Sequence, residues 1–303
     1  MKIRTLLIPA LALLSAASSA QTYVEYGGSL SLGMDGYAYD QHQGDAPDGL
    51  SKAELDMPGY GWGNMTANVG PGVAKSAFEI HGTSAENPVS FATAFASSRW
   101  FDSFTISDAA LNGTAGTFTT TLFVRGIGDF RIDDSISSSL STSMDAFWHA
   151  VINVTADGIN DENGLPVYQS GLYAGEWFKD KGETGLTYYG DVLGTYQQEV
   201  EFQFVYGQPV SVDSFLQCIM DYDNQEELVQ GTFDVNVDLG HSSYWAGLRS
   251  VKDANGNELS NYGFASASGF DYRQDYAPVP EPASMLALAG GVAVLLKRRR
   301  KAV

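Results

Sequence analysis

Cysteine is nearly missing from this chain: Cys218 is the only one in 303 residues. No intramolecular disulfide is available, so stability must come from packing, with bound ions as the remaining source of support. Cys218 lies in the apolar stretch 215–220 and reads as an inert buried thiol. Bases are scarce too. Of the 17 Lys and Arg, two precede Gln21 and five sit at 297–301; residues 21–280 hold the other 10 together with 35 acids, a net charge of −25. Such a body repels nucleic acid and anionic lipid, while attracting divalent cations. Catalytic signatures are also lacking. The histidines His42, His81, His149 and His241 are scattered, with no His-Glu-x-x-His spacing, no Gly-x-Ser-x-Gly elbow and no phosphate-binding glycine loop. His149 reads as a hydrogen-bonded strand residue.

High charge alone would suggest disorder, but five Trp, 16 Tyr and 16 Phe are enough to build a core. The pattern is that of strands. At 117–124 Phe118, Thr120, Leu122 and Val124 share a face; at 199–206 Val200, Phe202, Phe204 and Tyr206 do; at 232–239 Phe233, Val235, Val237 and Leu239 do. Shorter candidates lie at 101–107, 147–155, 172–178, 245–252 and 262–267. Asn112-Gly113, Asp157-Gly158, Asn163-Gly164 and Asn255-Gly256 read as the turns between them. Residues 35–75, rich in Gly, Pro and Asp, read as long loops, 135–145 as a Ser-rich loop or short helix, and 265–278 as a tether leaving the domain. The expected fold is all-β, an antiparallel β-sandwich or jelly-roll-like body.

Three features of the body bear on function. The loop Asp157 to Gly164 gathers five oxygen side chains, among them Asp157, Asn160, Asp161 and Asn163, which makes it a candidate Ca²⁺ site; 221–227 is similar. Neither loop has EF-hand spacing, and a solvated hairpin loop explains the same residues. No other cofactor is indicated. Tyr37, Tyr39, Tyr60, Trp62, Trp177, Tyr188 and Tyr189 lie near Gly-rich stretches, where rings can stack on sugars, although core filling accounts for aromatics equally well. Abundant carboxylates leave a glycosidase pair open.

The two ends read as addresses. Lys2 and Arg4 precede an apolar run, Leu6 to Ala17, and small residues ahead of a cut between Ala20 and Gln21, the pattern of a secretory signal peptide over 1–20. At the other end Val279, Pro280, Glu281 and Pro282 precede 14 uncharged residues, 283–296, and then Lys297, Arg298, Arg299, Arg300 and Lys301. The two prolines fix an extended peptide. A 14-residue helix covers about 21 Å, short of a hydrocarbon core of roughly 30 Å, so this is a weak span with a strong basic stop on the cytoplasmic side. An ordinary tail anchor is the plainer alternative.

This tail resembles the PEP-CTERM sorting signal of Gram-negative bacteria that make exopolysaccharide. The resemblance implies recognition through Pro280, Glu281 and Pro282, a stop at 298–300, and processing by a membrane-embedded exosortase-like enzyme after passage through the secretion translocon. Two stretches of the body, 94–126 and 246–272, are loosely similar to modules of the same family, whose bodies are mostly β-sandwiches without known activity. The expected organisation is thus signal peptide 1–20, β-sandwich body 21–276 and sorting signal 277–303 with a single hydrophobic helix. The expected function is a non-enzymatic structural or adhesive protein. It would be anchored transiently in the inner membrane, then released to the cell surface or extracellular matrix of a biofilm, with exopolysaccharide as a partner and nucleic acid excluded. A secreted polysaccharide-modifying hydrolase with the same tail is the alternative.

Overall fold

The structure, a computed structural model, describes residues 22–32, 36–44, 49–83, 91–138, 142–180, 182–183, 185, 187–190, 195–223, 231–239 and 243–275. The sequence-predicted signal peptide, with Ala20 and Gln21, and the tail motif with its basic stop lie outside the described residues, as do His241 and 224–227.

Among the described residues the chain is almost wholly β, and every pairing is antiparallel. The strands are β1 (Tyr23–Leu32), β2 (Gly36–Gly44), β3 (Gly49–Met57), β4 (Gly61–Gly70), β5 (Val73–Thr83), β6 (Phe91–Ser107), β7 (Ala115–Arg125) and β8 (Ile127–Ile132). After a short helix α1 (Asp134–Ser138) come β9 (Ser143–Asn160), β10 (Pro166–Lys179), β11 (Thr187–Gly190), β12 (Thr195–Val205), β13 (Pro209–Asp223), β14 (Thr232–Asp238), β15 (Ser243–Asp253) and β16 (Gly263–Ser266).

Two sheets result. The first runs β11-β10-β9-β13-β6-β1-β2, with β16 paired to the far end of β6. In the second, β5 carries β4 and then β3 on one edge; its other edge pairs with β14-β8 near one end and with β15-β7-β12 near the other. The sheets share one core. Leu30, Trp100, Phe104, Trp148, Ile152 and Leu216 come from the first sheet and Met65, Phe78, Phe118, Phe202, Val235 and Trp245 from the second. A buried serine pair ties the layers: Ser76 Oγ donates to Ser98 Oγ at 3.1 Å and lies 3.3 Å from the Leu216 carbonyl oxygen.

Strict alternation survives over long stretches: buried and half-buried residues take turns through all 17 residues of β6. The three faces expected at 117–124, 199–206 and 232–239 all point into the core. Cys218 is buried on β13, 3.8 Å from the Ala96 carbonyl, and burial raises its thiol pKa, as expected of an inert thiol.

Four expectations need correction. Residues 35–75 are not long loops: they contain β2, β3, β4 and the start of β5. Many of their inward positions are small, as at Gly61, Gly63 and Ala67, because large residues reach them from elsewhere; a Cβ on Gly63 would sit 3.4 Å from Leu30. Hydrophobic contrast is therefore low where packing is tight. Asp157-Gly158 is not a turn but lies inside β9, next to a register shift between β9 and β10. The His149 imidazole makes no hydrogen bond to the described residues; it stacks with Phe147 and Phe215, with ring centroids 6.0 and 5.0 Å away. The fourth correction concerns the tether.

Candidate functional site

Residues 265–275 do not hang free but are welded to the body. The alternation of β6 puts Asp102 in phase with Trp100, Phe104 and Ile106, so its carboxylate points inward and is 1% exposed. Such a group must be fully hydrogen-bonded. Its donors are the Ser103 amide at 2.7 Å, the Ser268 amide at 3.2 Å, the Ser268 hydroxyl and the Tyr272 hydroxyl at 2.6 Å. Three of these four come from the segment expected to be a tether.

Tyr272 fills the gap between the sheets at this end. Its ring lies against Trp100 and Phe104 from one sheet and Trp245 from the other, at 5.7, 5.5 and 5.4 Å between centroids. Burial and the Asp102 carboxylate push its hydroxyl pKa upward, so it remains a donor. Its carbonyl accepts the Trp245 indole N–H at 2.9 Å and the Leu248 amide at 3.0 Å. The second bond exists because β15 bulges at Ala246-Gly247, which frees backbone groups from the β7 ladder. Gly247 has φ +83°, and a Cβ there would lie 2.9 Å from Asp275 and 3.1 Å from the Arg273 carbonyl, so the close approach requires glycine. A bridge between Ala246 and Asp275 and an Arg249–Asp275 ion pair at 3.1 Å complete the clamp.

The sequence-predicted body residues fare differently. Asp161 is a turn cap: its Oδ1 accepts the amides of Asn163 and Leu165, each at 2.9 Å, and these bonds hold the exposed carboxylate below its ordinary pKa. Asp253 does the same in the β15 hairpin, with the amides of Asn255 and Asn257. Both loops share the pattern Asp-x-Asn-Gly, which is hairpin chemistry. Asp157 and Asn160 lie on β9 and Asn163 in the loop beyond it. No group of three or more His, Cys, Asp or Glu among the described residues is placed to hold a metal ion.

The aromatic candidates separate. Trp177 packs between Phe130 and Tyr188, 4.4 and 4.6 Å away. Tyr37 and Tyr39 stand out from edge strand β2, 67% and 58% exposed and stacked on each other. Trp62 lies on the solvent face of the second sheet and stacks on His81, centroids 6.0 Å apart, while His81 Nδ1 meets the Asp234 carboxylate. The register places Asp56, Trp62, His81, Asp234 and Arg131 in one row across β3, β4, β5, β14 and β8.

One cluster escaped the sequence reading. On the solvent face of the first sheet the register sets Asp145 opposite Asp221, and Glu176 beside them on β10. Burial, and then Glu176, push the Asp145 carboxyl up to about 7; Asp221 and Asp180 add smaller pushes. His149, on the same face, is held down at about 4 by burial. Period-2 counting places each residue on a face but says nothing about which strands adjoin.

Among the described residues no helix is long and apolar enough to cross a membrane. Asp275, the last described residue of the clamp, lies four residues before Val279 in the sequence. No curated protein matches the chain at significant similarity. Residues 278–301 match the family model described as the PEP-CTERM protein-sorting motif, so the chain carries the C-terminal tail of an exosortase substrate, an exported protein anchored transiently in the membrane before that enzyme cuts it.

Proposed function

We propose that this protein is a non-enzymatic structural or adhesive component of the cell surface or extracellular matrix, a β-sandwich delivered by its tail and held there by contact with exopolysaccharide. The observation that carries the adhesive part is the Trp62 row. The sheet face presents a partly exposed indole next to His81, in a row that continues to Asp234 and Arg131, with Asn64, Glu79 and Asn236 in the adjacent row. An aromatic face covers the apolar side of a sugar ring, and flanking amides and carboxylates bond its hydroxyls. Trp62→Ala should lower retention of the released protein on purified exopolysaccharide of the producing cells by roughly tenfold, the loss of one stacked ring. Undiminished retention would sink this reading of the row. For the sorting part, alanines at Pro280, Glu281 and Pro282 should leave the precursor in the inner membrane, and normal release would count against it.

The Asp145–Glu176 pair supports the second reading, a secreted polysaccharide-modifying hydrolase. A carboxyl raised to about 7 keeps a protonated fraction at neutral pH, as the general acid of a glycosidase must. That reading predicts release of reducing ends from exopolysaccharide, abolished by Asp145→Asn.

A further inference from the structure

The clamp fixes where the body sits when the tail is in the membrane. Ala283, the first residue of the apolar run, is eight residues past Asp275, so at full extension the chain spans at most about 28 Å between them. Several ångströms of that lie within the headgroup layer. A body tethered so closely cannot present its faces to the membrane equally, and one of net charge −25 is repelled by an anionic surface in most orientations.

The ground around Asp275 is the exception. Phe123 on β7 and Tyr244 on β15 are cross-strand partners on the solvent face of the second sheet, stacked at 4.9 Å between centroids and 9° between planes. Burial raises the pKa of the Tyr244 hydroxyl; Arg125, exposed at the end of β7, and Arg249 lie close enough to work against that rise, while Asp275 adds to it. Arg249 pairs with Asp275 and is 38% exposed. Two of the 10 bases of the body and an aromatic pair thus ring the point where the chain leaves for the membrane. Aromatic rings with Arg beside them are the side chains that settle at the headgroup level.

We propose that the patch formed by Phe123, Tyr244, Arg125 and Arg249 is a membrane-facing surface, which lies against anionic lipid headgroups while the tail is inserted and before it is cut. The proposal rests on the membrane anchoring of the tail. Its occupant is the phosphate-bearing lipid surface, chosen because the tether length brings the patch to it and Arg125 stands exposed beside the ring pair, while Arg249 is shared with Asp275 and Glu199 lies on the adjoining strand.

The test uses the full chain reconstituted through its tail into phosphatidylethanolamine–phosphatidylglycerol vesicles that carry headgroup spin labels. Since Cys218 is buried, a fluorophore attaches selectively to Glu199→Cys, on the exposed β12 position opposite Thr121, or to Ser170→Cys, on the solvent face of the first sheet. Quenching at 199 should exceed that at 170 by roughly threefold, and Arg125→Glu or phosphatidylcholine vesicles should remove most of the difference. Flotation with the vesicles reports anchoring separately: a chain that does not float removes the premise and overturns the proposal with it. A chain that floats but shows equal quenching at both positions overturns the proposal alone. Quenching indifferent to Arg125→Glu and to lipid charge would mean that the tether alone sets the contact, which also overturns it. Absence of quenching in vesicles, with cross-linking from position 199 to the processing enzyme in cells, would make the patch a protein-docking surface instead.

Discussion

Asp102 and Asp145 are both carboxylates on regular strands, yet their surroundings treat them in opposite ways. Asp102 faces the core and meets four hydrogen-bond donors, three of them supplied by residues 268–272. Asp145 faces outward and meets Glu176, Asp221 and Asp180, which together with burial drive it toward the protonated form. Depth alone does not decide the fate of an acid; the sign and polarity of its neighbours do. At Asp102 a buried acid organises a chain terminus, and at Asp145 a half-buried one stores repulsion.

The largest expected effect comes from emptying the clamp. Trp245→Ala removes a ring that Tyr272 and Phe104 pack against and a donor to the Tyr272 carbonyl, and should cost about 3–5 kcal/mol of unfolding free energy by denaturant titration. Tyr272→Phe is subtler. It keeps the ring and deletes one donor to Asp102, and should cost about 1–3 kcal/mol, with faster hydrogen exchange spreading over 266–275. A loss confined to other strands would mean that Asp102 does not organise the terminus.

Asp145→Asn should act in the opposite direction and stabilise the protein. A carboxyl whose folded pKa is raised loses stability as pH climbs from its ordinary value near 3.8 to about 7. Its amide isostere escapes that loss and should gain about 1–2 kcal/mol at pH 8, after allowance for solvent screening of a half-exposed cluster, with little difference near pH 4. His149 runs the other way. Its pKa is lowered from 6.5 to about 4, so its contribution is complete above the upper value and lost as pH falls through that window. The two slopes oppose each other in the wild type. Asp145→Asn should therefore expose a loss of stability on acidification below pH 6.5, and His149→Phe should leave a fall between about pH 4 and 7; unchanged thermal profiles would refute both assignments. The smallest expected effect is that of chelation. Because Asp161 is engaged by its own turn, excess EDTA should leave the melting temperature where it was, and a clear drop would favour the calcium reading.

Much of the fold was legible. Wherever large apolar residues alternate with polar ones, as at 117–124, 199–206 and 232–239, the inward face was correctly chosen, because period two is a property of the extended backbone. Legibility failed where the inward residues are small. Apart from Met65 and Val69, the buried residues of β2 through β4 are Gly, Ala and Ser, and the composition of these strands resembles that of loops. It failed again at 265–275, where Ser268 and Tyr272 look like tether residues until Asp102 is known to face them. That acid shared the phase of Trp100 and Phe104, a signal available in the sequence that called for a donor from elsewhere in the chain.

The sequence by itself determined the all-β character, the hairpin loops built on Asp-x-Asn-Gly, and the sorting tail, because each depends on the order of neighbouring residues and on backbone geometry within a few positions. Only the tertiary structure decided that Asp145 stands among acids, that Trp62 shares a row with His81 and Asp234, and that the chain end is clamped between Trp100 and Trp245. Those facts are set by which strands adjoin and in what register, which depends on contacts between residues as far apart as Asp102 and Tyr272.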